Sequence, residues 1–491
     1  MSAVRPERPS YAFAARHGAT LVDVENGAAV IAHRPDVAIP VLAELRRHCA
    51  MPVKLVGHSR DDYEALLQDL YADGDAARTI AIDIDEAGLA GVVDALPEPR
   101  DLLESDDDAP IIRLLNALFT EAINRDASDI HIEPFESRLV IRFRVDGLLV
   151  EVLSPQKAIA AALVSRIKVM AKLDIAERRL PQDGRISLRV AGRPVDVRVS
   201  TIPVGSGAER VVLRLLDKQA GRLDFDRLGL SAGLRTQLED LIHRPHGIFL
   251  VTGPTGSGKT TTLYAALQGL NVTTRNILTI EDPIEYYLDG IGQTQVNPRV
   301  DMSFARGLRA ILRQDPDVVM IGEIRDLETA QIAIQSSLTG HLVLSTLHTN
   351  SAVGAVTRLR DMGVESYLVS ASLIGVLSQR LVRVLDPELS EEYAPEPAEC
   401  ALFGMPWNAA LRFRRPRPGL QRNEGYRGRT GLYELAIMDE SLRRRIHDEV
   451  SEEDLSSQAR TRTSGLIADG WEKVCAGITS VQEVLRVTRE A

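Results

Sequence analysis

The sequence has little that would tie it to an oxidising compartment, a bilayer or a nucleic-acid strand. Its three cysteines, Cys49, Cys400 and Cys475, stand far apart and form no Cys-x-x-Cys pair, so they supply no disulfide framework and fit a reducing compartment. No run approaches the roughly 18 consecutive apolar residues of a membrane helix, and the opening MSAVRPERPSYAFAARHG lacks the apolar core of a secretory signal. A cytoplasmic protein is expected, with any membrane role peripheral, through a partner or a surface patch. Aromatic residues make up only 4 %, too few to suggest stacking platforms for single strands. Positive charge is also short: the net charge is −11 and the pI about 5.5, so the surface repels phosphate backbones and no nucleic-acid partner is expected.

What is there is 491 residues of ordinary globular composition, 44 % hydrophobic and 26 % charged, too many for one core. From Tyr11 to about Gly74, short alternating runs mix with helical spacing, as in Val37 to Cys49, and read as a small α+β module. The stretch EAGLAGVVDALPEPRDLLESDDDAP has prolines and acids but no periodic apolar face, and reads as an acidic linker. Asp108 then fits an N-cap, and Ile111, Leu114, Leu115, Leu118 and Ile123 form one helical stripe. Ile141, Phe143 and Val145 alternate with Arg142, Arg144 and Asp146, and Asp146-Gly147 is a two-residue hairpin turn. RISLRV, VDVRVST and ERVVLRLL continue an antiparallel sheet rich in outward arginines, with a helix over about residues 158–173 on one face. From about Leu228, the apolar strands GIFLVT, NILTIED, DVVMIGE and HLVLSTLH alternate with helices, which marks a parallel α/β core. Proline-rich loops and short helices follow from about Leu377. The expected domains are 1–95, a linker 96–109, a sheet domain 110–225, a parallel α/β core 226–376 and a helical C-terminal domain 377–491.

The chemistry concentrates in GPTGSGKT, Gly253 to Thr260, placed after an apolar strand and before the helix-forming TTLYAALQGL. Gly253, Pro254, Thr255, Gly256, Ser257 and Gly258 form a loop whose backbone N–H groups can turn inward around a β-phosphate. Lys259 would reach the β- and γ-phosphates, and the Thr260 hydroxyl, followed by Thr261, would ligate Mg²⁺. The expected ligands are therefore ATP and Mg²⁺. Two more strand ends carry acids: TIEDPIEY places Glu281, Asp282 and Glu285, and VVMIGEIRD places Glu323. One such carboxylate can orient the attacking water while another, Glu323, holds magnesium through water. His348, after HLVLSTL, sits where a neutral imidazole would sense a γ-phosphate, and His341 is a second candidate.

These strings, together with SDIHIEP, RLPQDGR, RVSTIP and GYRGRTGLYE, resemble the ATPases of type II secretion systems (GspE-like) and, beyond them, the assembly motors of type IV pili. The resemblance runs from about Pro9 to the C-terminus. It implies a RecA-like P-loop NTPase core, a preceding PAS-like α+β sheet domain, a small N-terminal α+β module and a helical C-terminal domain. It also implies a homo-hexamer docked to an inner-membrane platform protein (GspL-like) through the N-terminal module. Arg198 and Arg214 match its arginine fingers, VVMIGEIRD resembles its atypical Walker B segment, and Arg309 and Arg313 match basic residues before that strand. Which of Glu281 and Glu285 is the base stays open.

One departure stands out. The family usually carries two Cys-x-x-Cys pairs between LSQRLVR and GYRGR that bind a structural zinc. Here Asp386 and Leu389, then Pro418 and Gln421, fall at those positions, and Cys400 alone cannot replace them, so no zinc is expected. The five arginines between Arg412 and Arg422 would face a partner or acidic phospholipid, or simply solvent. A pilus extension motor is the nearest alternative, sharing the chemistry. A RecA-like nucleic-acid translocase and a silent scaffold are more distant.

Overall fold

The computed structural model describes residues 9, 14, 17–25, 28–49, 51–59, 62, 63, 66, 109–190, 193–205, 207–217, 225–420 and 424–488. The acidic linker and the Asp108 cap lie outside them, as do most of residues 1–16. The chain divides into two compact units, Met1–Leu118 and Phe119–Ala491.

In the first unit, β1 (Ala19–Glu25) pairs antiparallel with β2 (Ala28–His33), which pairs in parallel with β3 (Val53–Gly57). A parallel pair needs a crossover, and α1 (Ile39–Cys49) supplies it. Its Leu45 and Cys49 close over Ala19, Leu21, Ala29 and Ile31. The α+β module expected from the alternation is therefore present. Helix α2 (Ala109–Asn124) crosses the division, with Ile111, Leu114, Leu115 and Leu118 of the expected stripe buried.

The second unit holds two large sheets. One consists of β4 (Ala127–Pro134), β5 (Leu139–Val145), β6 (Leu148–Leu153), β7 (Gln182–Val190), β8 (Arg193–Pro203) and β9 (Glu209–Asp217). It is antiparallel, in the order β6-β5-β4-β9-β8-β7. Asp146 and Gly147 turn between β5 and β6 with φ of 48° and 85°, the left-handed pair that a two-residue hairpin requires. Helix α3 (Ala160–Met170) buries Leu163, Val164 and Ile167.

The strands of the other sheet are β10 (Gly247–Thr252), β11 (Ile277–Glu281), β12 (Gly292–Gln295), β13 (Val318–Ile321), β14 (Leu342–Leu347), β15 (Leu373–Leu385) and β18 (Tyr426–Ile437). They lie in the order β12-β11-β13-β14-β10-β15-β18. All pair in parallel except β18, which runs antiparallel to β15. Strands β10, β13 and β14 are buried along their whole length, as their unbroken apolar runs require. Helices α4 (Lys259–Leu270), α5 (Phe304–Ile311) and α6 (Leu327–Leu338) help cover the faces.

The stretch from Leu377 differs from the helical reading. Position 377 lies inside β15, and β15 and β18 extend the core sheet. The apolar pattern of β15 is broken by Ser378, Gln379, Arg380 and Arg383, all buried, so buried polar residues, two of them at the P-loop, hid the strand from sequence. Between them, β16 (Ser390–Tyr393) and β17 (Phe413–Pro416) pair around α7 (Pro397–Ala401). The short helices expected at the end do follow, among them α8 (Leu466–Cys475) and α9 (Val481–Thr488).

Candidate functional site

The P-loop joins β10 to α4 at the carboxyl end of the parallel strands, where open α/β sheets bind ligands. Gly253, Gly256 and Gly258 take φ of 142°, 79° and 86°. A Cβ on Gly253 would meet the Gln379 carbonyl oxygen at 2.5 Å, so the loop needs glycine there to pass β15. Gln379 grips the loop from β15: its amide donates to the Ser257 carbonyl and accepts from the Thr262 hydroxyl at 2.7 Å. Lys259 Nζ donates to the Gly253 and Pro254 carbonyls at 2.9 Å each. Burial pushes the pKa of this ammonium down to about 8; Glu323 opposes the shift and Arg380 adds to it.

Glu323 follows β13 and His348 follows β14, adjacent strands, and the structure brings the two together: His348 Nε2 lies 3.5 Å from Glu323, which also holds the Arg325 guanidinium. Burial, then the Lys259 charge, lowers the His348 pKa, which favours the neutral imidazole. Thr260 is exposed at the start of α4, and Glu323, 15 % exposed, is shared between Arg325 and His348, so a hydroxyl and a partly screened carboxylate stand at the carboxyl end of the sheet where a hydrated cation would sit. This donor set suits Mg²⁺, whose charge would neutralise phosphate oxygens. His341 does not join them. It precedes β14 at the opposite end of the strand, roughly 20 Å away at about 3.3 Å per residue, and its Nδ1 donates to the Ser336 carbonyl at 2.9 Å.

Glu281 and Glu285 have different surroundings. Glu281 is 3 % exposed and accepts from Tyr264 Oη, from Thr279 Oγ1 at 2.6 Å and from Gln293 Nε2 at 3.0 Å. Glu285 is half-buried and pairs with Arg198 at 3.0 Å, while Arg198 also donates to the Ile284 carbonyl at 2.9 Å.

Arg198 belongs to a row that crosses the antiparallel sheet. The register aligns Arg185 on β7, Arg198 on β8, Arg214 on β9, Asp129 on β4 and Arg144 on β5. Arg185, Arg198 and Arg214 line a cavity of about 600 Å³ with Asp282 and Pro283 of the TIEDPIEY loop. Arg214, Arg144 and Asp129 line another of about 610 Å³ with Pro254, Thr255, Gly256 and Ser257. Arg380, Arg429 and Arg486 complete its wall. The sequence reading singled out Arg198 and Arg214 but missed Arg144, Arg185, Arg380, Arg429, Arg486 and Gln379. The alternation in IRFRV and RISLRV signalled Arg144 and Arg185, the polar break in LSQRLVR signalled Gln379 and Arg380, GYRGR held Arg429, and Arg486 had no signal. Arg309 and Arg313, on and just after α5, are exposed and outside this cavity; Arg309 pairs with Glu328 at 2.7 Å and Arg313 donates to the Arg309 carbonyl at 2.8 Å.

The segment between β15 and β18 folds on an apolar cluster. Cys400, Phe403, Phe413, Leu466 and Val474 are buried together, and the Trp471 ring packs 5.4 Å from Phe403 and 5.5 Å from Phe413. Arg415 and Arg412 pair with Glu391 and Glu392 across β16 and β17, and Arg414 donates to Ser390, so three of the five loop arginines have local partners. Among the described residues no group of three His, Cys, Asp or Glu is arranged to hold a metal, and no helix is long and apolar enough to cross a membrane.

Two family models match this chain: "Type II/IV secretion system protein" over residues 104–486 and an N-terminal domain of GSPII protein E over residues 8–71. The chain is 58 % identical to the type II secretion system protein E of Pseudomonas aeruginosa over 99 % of this chain and 97 % of the relative. It is also 58 % identical to the type II secretion system ATPase E of Vibrio cholerae, over 93 % and 91 %. Among solved structures, the ATPase DotB of Legionella pneumophila superposes with a TM-score of 0.58 at 23 % identity, covering 77 % of this chain and 95 % of that one, a likeness of fold. The pilus retraction motor PilT, solved with ADP, gives 0.52 at 27 % identity, over 76 % and 96 %. Matched in both of its units and alike over nearly its whole length to relatives of one kind, the chain belongs to the type II/IV secretion system protein family, within its type II secretion ATPases.

Proposed function

We propose that the chain works as a homo-hexameric motor that hydrolyses ATP with Mg²⁺ to drive assembly of a type II secretion pseudopilus. The observation that carries this reading is that the P-loop and the arginine row of the antiparallel sheet face one cavity within a single chain. A triphosphate there would bridge two sheets, so that filling and emptying the site would move one against the other. The names of the relatives favour secretion over pilus extension.

In the proposed mechanism the backbone amides of Gly256 to Thr260 and the Lys259 ammonium cradle the phosphates. Thr260 and Glu323 would hold Mg²⁺, which would supply positive charge at the phosphate oxygens. Glu285 orients the attacking water, because Glu281 is committed to three donors inside the core. Neutral His348 senses the γ-phosphate, and Arg198 and Arg214 stabilise charge as it develops. Arg309 and Arg313, exposed and off this chain's own cavity, would serve a neighbouring copy. The first unit would dock on an inner-membrane platform protein (GspL-like), placing the chain peripherally on the cytoplasmic face of that membrane, and the exposed Arg417 could meet acidic phospholipid there.

The ring is tested by mixing wild-type chain with increasing fractions of Lys259→Ala chain and measuring phosphate release. Coupled sites predict turnover falling below the fraction of wild type; a strictly proportional fall would contradict a cooperating hexamer.

A further inference from the structure

Strand β4 carries two acids that each hold a pair of arginines from the strands on either side. Asp129 Oδ1 accepts from Arg214 Nε of β9 at 2.9 Å, and its Oδ2 lies 3.7 Å from Arg144 Nε of β5. The Ser128 hydroxyl donates to the same Oδ2 at 2.7 Å. Four residues on, Glu133 repeats the arrangement with Arg142 of β5 and Arg210 of β9, each at 2.5 Å. Both acids are 4 % exposed. Only the first bracket opens on the P-loop, since Ser128, Asp129, Arg144 and Arg214 line that cavity, whereas Arg142, Glu133 and Arg210 do not.

Arg144 is fixed at a second point, where its Nη1 donates to the Gly147 carbonyl at 2.9 Å. The neighbouring Asp146 accepts from the Gly428 amide at 3.2 Å, so the hairpin tip that steadies Arg144 is itself pinned to β18. One carboxylate between two guanidiniums leaves the bracket with an excess positive charge facing Pro254 to Ser257. A guanidinium held in place needs less ordering when it meets a phosphate than one free in solvent.

We propose that Arg144 is a second phosphate-binding arginine of this site, paired with Arg214, and that Asp129 is the positioning residue presenting both. The inference rests on the ATPase reading above. Arg144 supplies charge and a planar fork to the phosphates; Asp129 touches no nucleotide and acts through the two arginines it spaces.

The test measures kcat and KM for Mg-ATP on the full chain and on Arg144→Ala, Asp129→Asn and the double variant, with Arg142→Ala as the matched change in the second bracket. Arg144→Ala should raise KM about tenfold, the loss of one charge-assisted contact. Arg142→Ala should leave both kcat and KM within about twofold, because Arg142 lies outside the nucleotide cavity. Asp129→Asn should lower kcat/KM about tenfold in the wild-type background and by less than about threefold when Arg144 is already alanine, because both changes dismantle one pair. Unchanged KM and kcat in Arg144→Ala, or an equal effect of Asp129→Asn in both backgrounds, would overturn the inference. If Asp129→Asn fails to fold, the Arg144→Ala result decides alone. A wild-type chain without turnover, or one that Lys259→Ala leaves unchanged, would instead defeat the ATPase reading.

Discussion

Lys259 sits where burial favours its neutral form, and that sets a pH dependence for nucleotide binding. Its pKa in the empty chain is about 8, and phosphate oxygens favour the charged form, so binding raises it. Affinity is therefore full below pH 8 and falls as pH rises through it, approaching about tenfold per unit while the bound form stays protonated. Titrating ADP between pH 7 and 9.5 checks this, and calorimetry in two buffers at pH 8 should show net proton uptake; a flat affinity would contradict it. His348 adds no opposing titration, since its lowered pKa favours the neutral form throughout that range. The two acids that sequence could not separate are separated by burial. Glu281→Gln should cost about 1–3 kcal/mol of stability by unbalancing three buried hydrogen bonds. Glu285→Gln should leave thermal unfolding unchanged and lower kcat by about 10²-fold or more, as loss of a general base does. Thermal melts and turnover on the same two variants decide the assignment.

At the scale of elements, the legible parts were those whose pattern obeys one rule. GPTGSGKT after GIFLVT marks a strand, loop and helix because only glycines reach φ near 80° and only apolar residues fill a strand covered on both faces. Asp146-Gly147 marks its hairpin for the same local reason. β15 broke the rule, because Gln379 and Arg380 are buried to grip the P-loop and wall its cavity, and a buried polar pair looks like a loop in one dimension. The β16–β17 segment was read for what it lacks, its cysteines; what holds it instead, Phe403, Phe413 and Trp471, comes from three separate stretches. If that cluster stands in for a metal, Phe413→Ala should destabilise the chain by about 3–5 kcal/mol, while a zinc chelator should leave Tm unchanged. Stoichiometric zinc in the purified protein, or a Tm lowered by chelation, would contradict this.

At the scale of the molecule, the site is split between two sheets that sequence places far apart. The arginine alternation told which residues point out of the antiparallel sheet, but not that Arg185, Arg198, Arg214 and Arg144 share one row, since that register spans four separate strand pairings. Nor could spacing reveal that the row meets both the P-loop and the TIEDPIEY loop. The P-loop alone explains nucleotide binding; the row explains why binding would act on the antiparallel sheet as well. The measurement that bears most directly on this is steady-state phosphate release by Arg198→Ala set beside its ATP affinity. The account predicts kcat reduced by about 10²–10³-fold with affinity within about threefold, because a charge stabiliser acts mainly in the transition state. An Arg198→Ala chain that turns over ATP at the wild-type rate would contradict it.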